Sequence, residues 1–132
     1  LVRIQNEMFD LGADLATPAD PAHGFGPHDM ALRIVPSQIA RLEDEIDRMN
    51  DDLEALRSFI LPGGTDAAAR LHLARAVTRR AERAAVAAGA DRDLNPLALT
   101  YLNRLSDHLF VLTRHLNAAA GGDVLWKPGA TR

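Results

Sequence analysis

Apolar residues recur every three or four positions along three long stretches of this chain, and proline or glycine punctuates the gaps between them. That spacing gathers the apolar side chains on one face of a helix, whereas a half-buried strand alternates with period two. No stretch here alternates in that way. The expected fold is all-α, an antiparallel helical bundle forming one domain over residues 1–132. A chain of 132 residues is long enough to bury a real core.

The elements follow from the spacing. Ile4, Met8, Leu11 and Leu15 step by four, three and four, so residues 1–16 read as an amphipathic helix. Its opening, Leu1-Val2-Arg3-Ile4, reads as the inside of a helix with no capping residue before it. Residues 17–29 hold three prolines and two glycines and form a loop. His23 and His28 lie in it, and without further ligands they read as surface histidines. A single helix is expected from Pro36 to Phe59, with Ile39, Leu42, Ile46, Met49, Leu53 and Leu56 as its seam. Spacing alone makes Phe59 a core aromatic at the end of that seam.

The Pro62-Gly63-Gly64 turn ends this helix, and Thr65 caps the next, which runs to about Ala88 with Gly89 as its stop. Its many alanines let another helix approach closely, so it faces the core or a second subunit. Asn95-Pro96 opens the last helix as cap and first-turn proline. Ala98, Leu102, Leu105, Leu109, Leu112 and Leu116 make its seam, and Gly121-Gly122 stops it. Trp126, in the short tail, is expected to pack back on the bundle.

Composition excludes several functions. A net charge of −3 argues against a general nucleic-acid binder. The absence of cysteine removes disulfides and thiolate metal sites and is compatible with a reducing, cytoplasmic setting. No apolar run approaches the roughly 20 residues of a membrane span. The acidic face with Glu43, Asp44, Asp47, Asp51 and Asp52 reads as solvated. No Glu-x-x-His pair occurs, so no metal site built from protein side chains is expected. Neither GxxxxGK[ST] nor GxGxxG is present, and no nucleophile triad can be assembled.

The chemistry concentrates in RSFILPGGTDAAARLHLARAVTRRAER, residues 57–83. Arg75, Arg79 and Arg83 project from one side of the helix, four residues apart. Like charges at that spacing repel unless carboxylates or an anion sit among them, and guanidinium suits phosphate oxygens. Glu82 lies three residues after Arg79 and Arg80 turns to another face, so a solvated, ion-paired surface fits the spacing as well. Asn103, inside the last helix, is costly without a partner.

RSFILPGG, HLARAVTRRAER, YLNRLSDHLF and GGDVLWKPGATR resemble, in order and spacing, the PduO-type ATP:cob(I)alamin adenosyltransferases. VRIQNEMFDLGADLATP resembles an earlier helix of that family. The resemblance implies a five-helix bundle, usually a homotrimer with active sites between subunits. It implies transfer of the 5′-deoxyadenosyl group from ATP, with Mg²⁺, to the cobalt of reduced cobalamin, releasing triphosphate. It also implies a corrinoid reductase and an adenosylcobalamin-dependent enzyme as partners. By the same resemblance Arg79, Glu82 and Asn103 hold ATP, and Arg80 and Arg83 lie within the ATP-contacting motif. Arg75 matches an arginine that pairs across the subunit interface, and Asp107 a supporting hydrogen-bonding residue. Phe59 matches the aromatic that covers the lower face of the corrinoid, keeping water and the lower ligand off cobalt. The family's glycine- and threonine-rich TGD-type segment and its first helix have no counterpart here, and with the uncapped start they suggest an incomplete sequence. Two other readings remain: a bundle that binds corrinoid or nucleotide without turnover, and a purely structural helical oligomer.

Overall fold

The computed structural model describes residues 1–26 and 31–132. Four helices follow one another: α1 (Val2–Ala16), α2 (Pro36–Asn50), α3 (Asp66–Ala88) and α4 (Pro96–Ala118). Among the described residues no strand forms, and strand-like pairing takes the form of isolated bridges such as Asp20 with Gly24 and Ile60 with Leu125. The all-α expectation holds. His28 lies outside the described residues.

The helix starts have the expected chemistry. Thr65 Oγ1 accepts from the Ala68 N–H at 3.2 Å, and Asn95 Oδ1 from the Leu97 N–H at 3.0 Å. Pro36 and Pro96 stand in the first turns of α2 and α4, where a missing N–H costs nothing. α1 starts at Leu1 with no side-chain cap.

α4 is the hub. α3 packs along it, α2 lies against it, and α1 touches it more lightly. Ala98, Tyr101, Leu102, Leu105 and Leu109 of α4 join Ile4, Leu11, Ile34, Ile39 and Leu42 in one apolar core. Two buried polar clusters fix how the helices meet. Asp14 pairs with Arg33 at 2.9 Å with both side chains fully buried, and also accepts from Ile34 N and Asn95 Nδ2. Glu7 accepts from the Tyr101 hydroxyl at 2.6 Å and pairs with Arg41. A buried ion pair adds little net stability, but removing one partner strands the other, so such pairs select one arrangement.

One expectation fails. The helix expected over 36–59 ends at Asn50. Leu53 is only half buried and Leu56 is exposed, so the last third of the supposed seam does not pack as a helix seam. Asp47, Asp51 and Asp52 crowd the negative end of the helix dipole, which discourages further turns. Arg114 also takes the Glu54 carbonyl at 2.7 Å, an acceptor that a continuing helix would use internally.

The alanine-rich α3 turns only a narrow stripe inward, with Ala68, His72, Thr78 and Ala85 buried. Its other alanines are exposed, as are Leu73, Val77 and Val86.

Candidate functional site

Around the middle of α3 and α4, side chains from both helices form one continuous network. Arg79 pairs with Glu82 on the next turn of α3. The other oxygen of Glu82 accepts from Asn103 Nδ2 of α4 at 2.8 Å. Asn103 Oδ1 in turn accepts from Arg104 at 2.6 Å, and Arg104 pairs with Asp107 at 3.2 Å. The helix-interior asparagine thus has both halves of its amide satisfied, which answers its low helix propensity. Arg79 keeps 43% of its side chain open to solvent, enough to present donors to a ligand.

The arginine row is not uniform. The Arg75 guanidinium lies over the Phe110 ring, 5.0 Å from its centroid, and its Nε is buried without a hydrogen-bond partner. Arg80 and Arg83 are exposed. One stripe therefore carries an arginine stacked on an aromatic ring, an arginine braced by a carboxylate and an arginine in solvent, with Arg80 on a neighbouring face. Such a surface offers guanidinium donors to an anion while holding one of them in a fixed orientation.

Phe59 sits elsewhere. The rise of α3 from Asp66 to Arg79 alone is about 20 Å. Phe59 is 76% exposed, which rules out the core role that spacing suggested. Its backbone carbonyl accepts from the Trp126 N–H at 2.8 Å, and the two rings meet edge to face with centroids 5.8 Å apart. Leu61 N donates to Val124 O, and Ser58 Oγ to Trp126 O, both at 2.8 Å. Trp126 folds back, but on the Phe59 loop rather than on the helices as expected, and 43% of it stays exposed.

Titratable groups elsewhere on α3 and α4 have altered acidity. Burial, reinforced by the positive Arg75, lowers the pKa of His72 against the opposing pull of Asp123. Burial likewise lowers that of His108, outweighing its hydrogen bond to Glu45. The Tyr101 hydroxyl is pushed up by burial and by its bond to Glu7, so it remains protonated. None of the three lies in the Arg79 network.

The structure thus brings Arg79, Glu82, Asn103 and Asp107 together, sets Arg75 nearby on Phe110, leaves Arg80 and Arg83 at the surface, and keeps Phe59 apart. Sequence reasoning passed over Arg104, although its i,i+3 spacing to Asp107 was visible. It also gave no role to Asn117, whose partners Thr65 and Gly63 lie far away in the chain, or to Asp123, which pairs with Arg114 across the end of α4. Among the described residues no three His, Asp or Glu side chains converge to hold a metal ion.

The family described as cobalamin adenosyltransferase matches residues 1–116. A corrinoid adenosyltransferase of Mycobacterium tuberculosis is 50% identical over 134 aligned residues, covering 100% of this chain and 66% of that protein. A corrinoid adenosyltransferase of Bacillus subtilis is 39% identical, covering 98% of this chain and 64% of its own length. Among solved structures, a variant PduO-type ATP:corrinoid adenosyltransferase from Lactobacillus reuteri, complexed with cobalamin and ATP, superposes with a TM-score of 0.80 at 38% identity. That match covers 95% of this chain and 67% of the other. The chain thus spans about two thirds of the length of the relatives it resembles.

Proposed function

This chain belongs to the cobalamin adenosyltransferase family, and from that premise we propose that it transfers the 5′-deoxyadenosyl group of ATP to the cobalt of a reduced corrinoid. The electron pair on Co(I) forms the new bond to C5′. The C5′–O bond breaks, and triphosphate leaves with its electrons. No protein nucleophile is needed, so the protein's tasks are binding, orientation and charge.

The observation that carries the reading is the Arg79–Glu82–Asn103 network on the α3–α4 groove. Arg79, held by Glu82, would donate to phosphate oxygens, with Arg80 and Arg83 adding charge from the surface. Stabilising the departing triphosphate lowers the barrier where charge develops. A divalent cation, Mg²⁺ in this proposal, would arrive on the nucleotide's phosphates. Phe59, exposed beside Trp126, would lie against the lower face of the corrinoid and keep water from cobalt.

Self-association into a homotrimer belongs to the same proposal. The outward face of α3, with its alanines and exposed Leu73, Val77 and Val86, supports it. Arg75, half-buried with its guanidinium held over Phe110, would pair with an acidic residue of another subunit. No helix among the described residues is long and apolar enough to cross a membrane. The reaction consumes ATP and a low-valent corrinoid, so a reducing cytoplasm is the proposed compartment. A corrinoid reductase would act before it and an adenosylcobalamin-dependent enzyme after it.

The test is direct. The full protein, given ATP and chemically reduced cobalamin, is expected to produce the visible spectrum of adenosylcobalamin together with triphosphate. ATP binding without product would instead support the bundle that binds and does not turn over.

A further inference from the structure

We propose that Asn117 and the Arg114–Asp123 pair form a clamp that positions the Phe59 loop, making all three positioning residues for the corrinoid side of the site. Asn117 is 1% exposed near the end of α4. Its Oδ1 accepts from Thr65 N at 3.1 Å and its Nδ2 donates to Gly63 O at 3.2 Å. One amide therefore grips the chain on both sides of Gly64. Gly64 has φ of +97°, and a Cβ there would run into the Asn117 side chain. The close approach and the backbone conformation both require glycine.

The same turn of α4 holds the other approaches to Phe59. Arg114, 8% exposed, donates through Nη2 to Glu54 O at 2.7 Å and through Nε to Asp123 Oδ2 at 3.2 Å. The Asn117 carbonyl accepts from Gly122 N at 2.8 Å, which turns the tail back so that Asp123 reaches Arg114. The loop is thus fixed before Phe59 at Glu54, after it at Gly63, and alongside it by the tail. Between those pins no helix holds the chain, and residues 58–61 bond to residues 124–126.

Core building does not account for this investment of buried polar groups. Leu56 and Leu61 are 44% and 42% exposed, and Phe59 more so, so the pinned loop buries little. What the clamp fixes is direction. It sets where the Phe59 ring points, and it leaves the Arg79 network, several turns farther along α3, untouched.

The kinetic half of the test rests on the adenosyltransferase reading; the other half does not. Trp126 is the one tryptophan of these 132 residues, so in this chain its emission and its quenching by iodide report on the tail. In the full protein, Asp123→Ala should make Trp126 more accessible to iodide and raise KM for cob(I)alamin about tenfold, the loss of one charge-assisted bond, with KM for ATP changed by less than about twofold. Asn117→Ala should do the same more strongly, and Asp123→Glu should restore part of the loss. Should Asn117→Ala fail to fold, Asp123→Ala alone decides. Equal rises in both KM values, or an unchanged KM for cob(I)alamin, overturn the proposal. If the wild-type protein makes no adenosylcobalamin, the activity reading falls, and Trp126 accessibility judges the clamp. Quenching unchanged from wild type then overturns it.

Discussion

At the Arg79 end of α3 the important side chains stand on two packed helices, while at the Phe59 end they stand on backbone that follows no regular element. The first region is held by side-chain contacts between α3 and α4, with Glu82 reaching Asn103 across the groove. The second is held by backbone hydrogen bonds to the tail and by buried polar groups beneath it. The difference matters for the proposed chemistry. A triphosphate needs fixed charges at fixed spacing, which helices supply. A broad apolar ring face needs an exposed aromatic, which a helix packed on its neighbour would tend to bury.

If the two regions are separable, their variants should fail differently. Arg79→Ala should give the largest effect, lowering kcat/KM for ATP by about tenfold to a hundredfold through lost bonds to phosphate. Its melting temperature should hardly move, because the Glu82 pair is partly solvated and such pairs add little. Wild-type kinetics in that variant would return the arginine row to the solvated reading.

Gly64→Ala should come next and act on stability, costing about 2 kcal/mol through backbone strain and the clash with Asn117. Denaturant titration measures it, and ATP affinity per folded molecule should be kept. A neutral result would mean that the turn at the Phe59 end tolerates another geometry.

Phe59→Ala should lower turnover with cob(I)alamin about tenfold by admitting water to cobalt, roughly the effect of 1.4 kcal/mol. Buried phenylalanines lose about 3–5 kcal/mol on truncation, and this exposed one should lose far less. A large fall in melting temperature with an unaltered Co(II) spectrum would contradict the exposed position and the proposed role together.

Acidity gives the smallest effect and probes groups elsewhere on α3 and α4. His72 and His108 both have lowered pKa values in the fold, while unfolded histidine titrates near 6.5. The unfolded chain therefore binds more protons as pH falls, so this contribution is intact above about 6.5 and declines below it. His72→Gln should flatten the fall in melting temperature between pH 7 and 5.5. An unchanged slope would show that His72 does not need to stay neutral in the fold.

Much of this was legible in the sequence, and the failures have physical causes. The seams of α1 and α4, the Thr65 and Asn95 caps and the 66–88 helix depend on local spacing, which a sequence displays. The end of α2 did not, because Leu53 and Leu56 keep the period while Arg114, 60 residues from Glu54, takes a carbonyl of that segment. Phe59 was misjudged from spacing for the same reason, since a helix ending at its position would have buried it. Arg79 and Glu82 could be paired from their separation alone. That Asn103 completes them depends on which faces of α3 and α4 meet. The buried Asp14–Arg33–Asn95 and Glu7–Tyr101 groups left no periodic trace, because each joins distant segments.

The central place of α4 bears on how the chain is made. The main packing of α1, α2 and α3 is in each case against α4, the last helix of the four. A chain emerging from the ribosome at about 5–20 residues per second would expose three amphipathic helices before the surface they dock on exists. During that interval Leu11, Ile39 and Leu42 have no settled partner, and the nascent segment is a natural client for a holding chaperone. Synthesis of α4 then offers every docking face within a single 23-residue helix, so acquisition of structure should be abrupt rather than stepwise. Arrested nascent chains ending before Asn95 should be digested readily by protease, and chains that have cleared Ala118 should resist it.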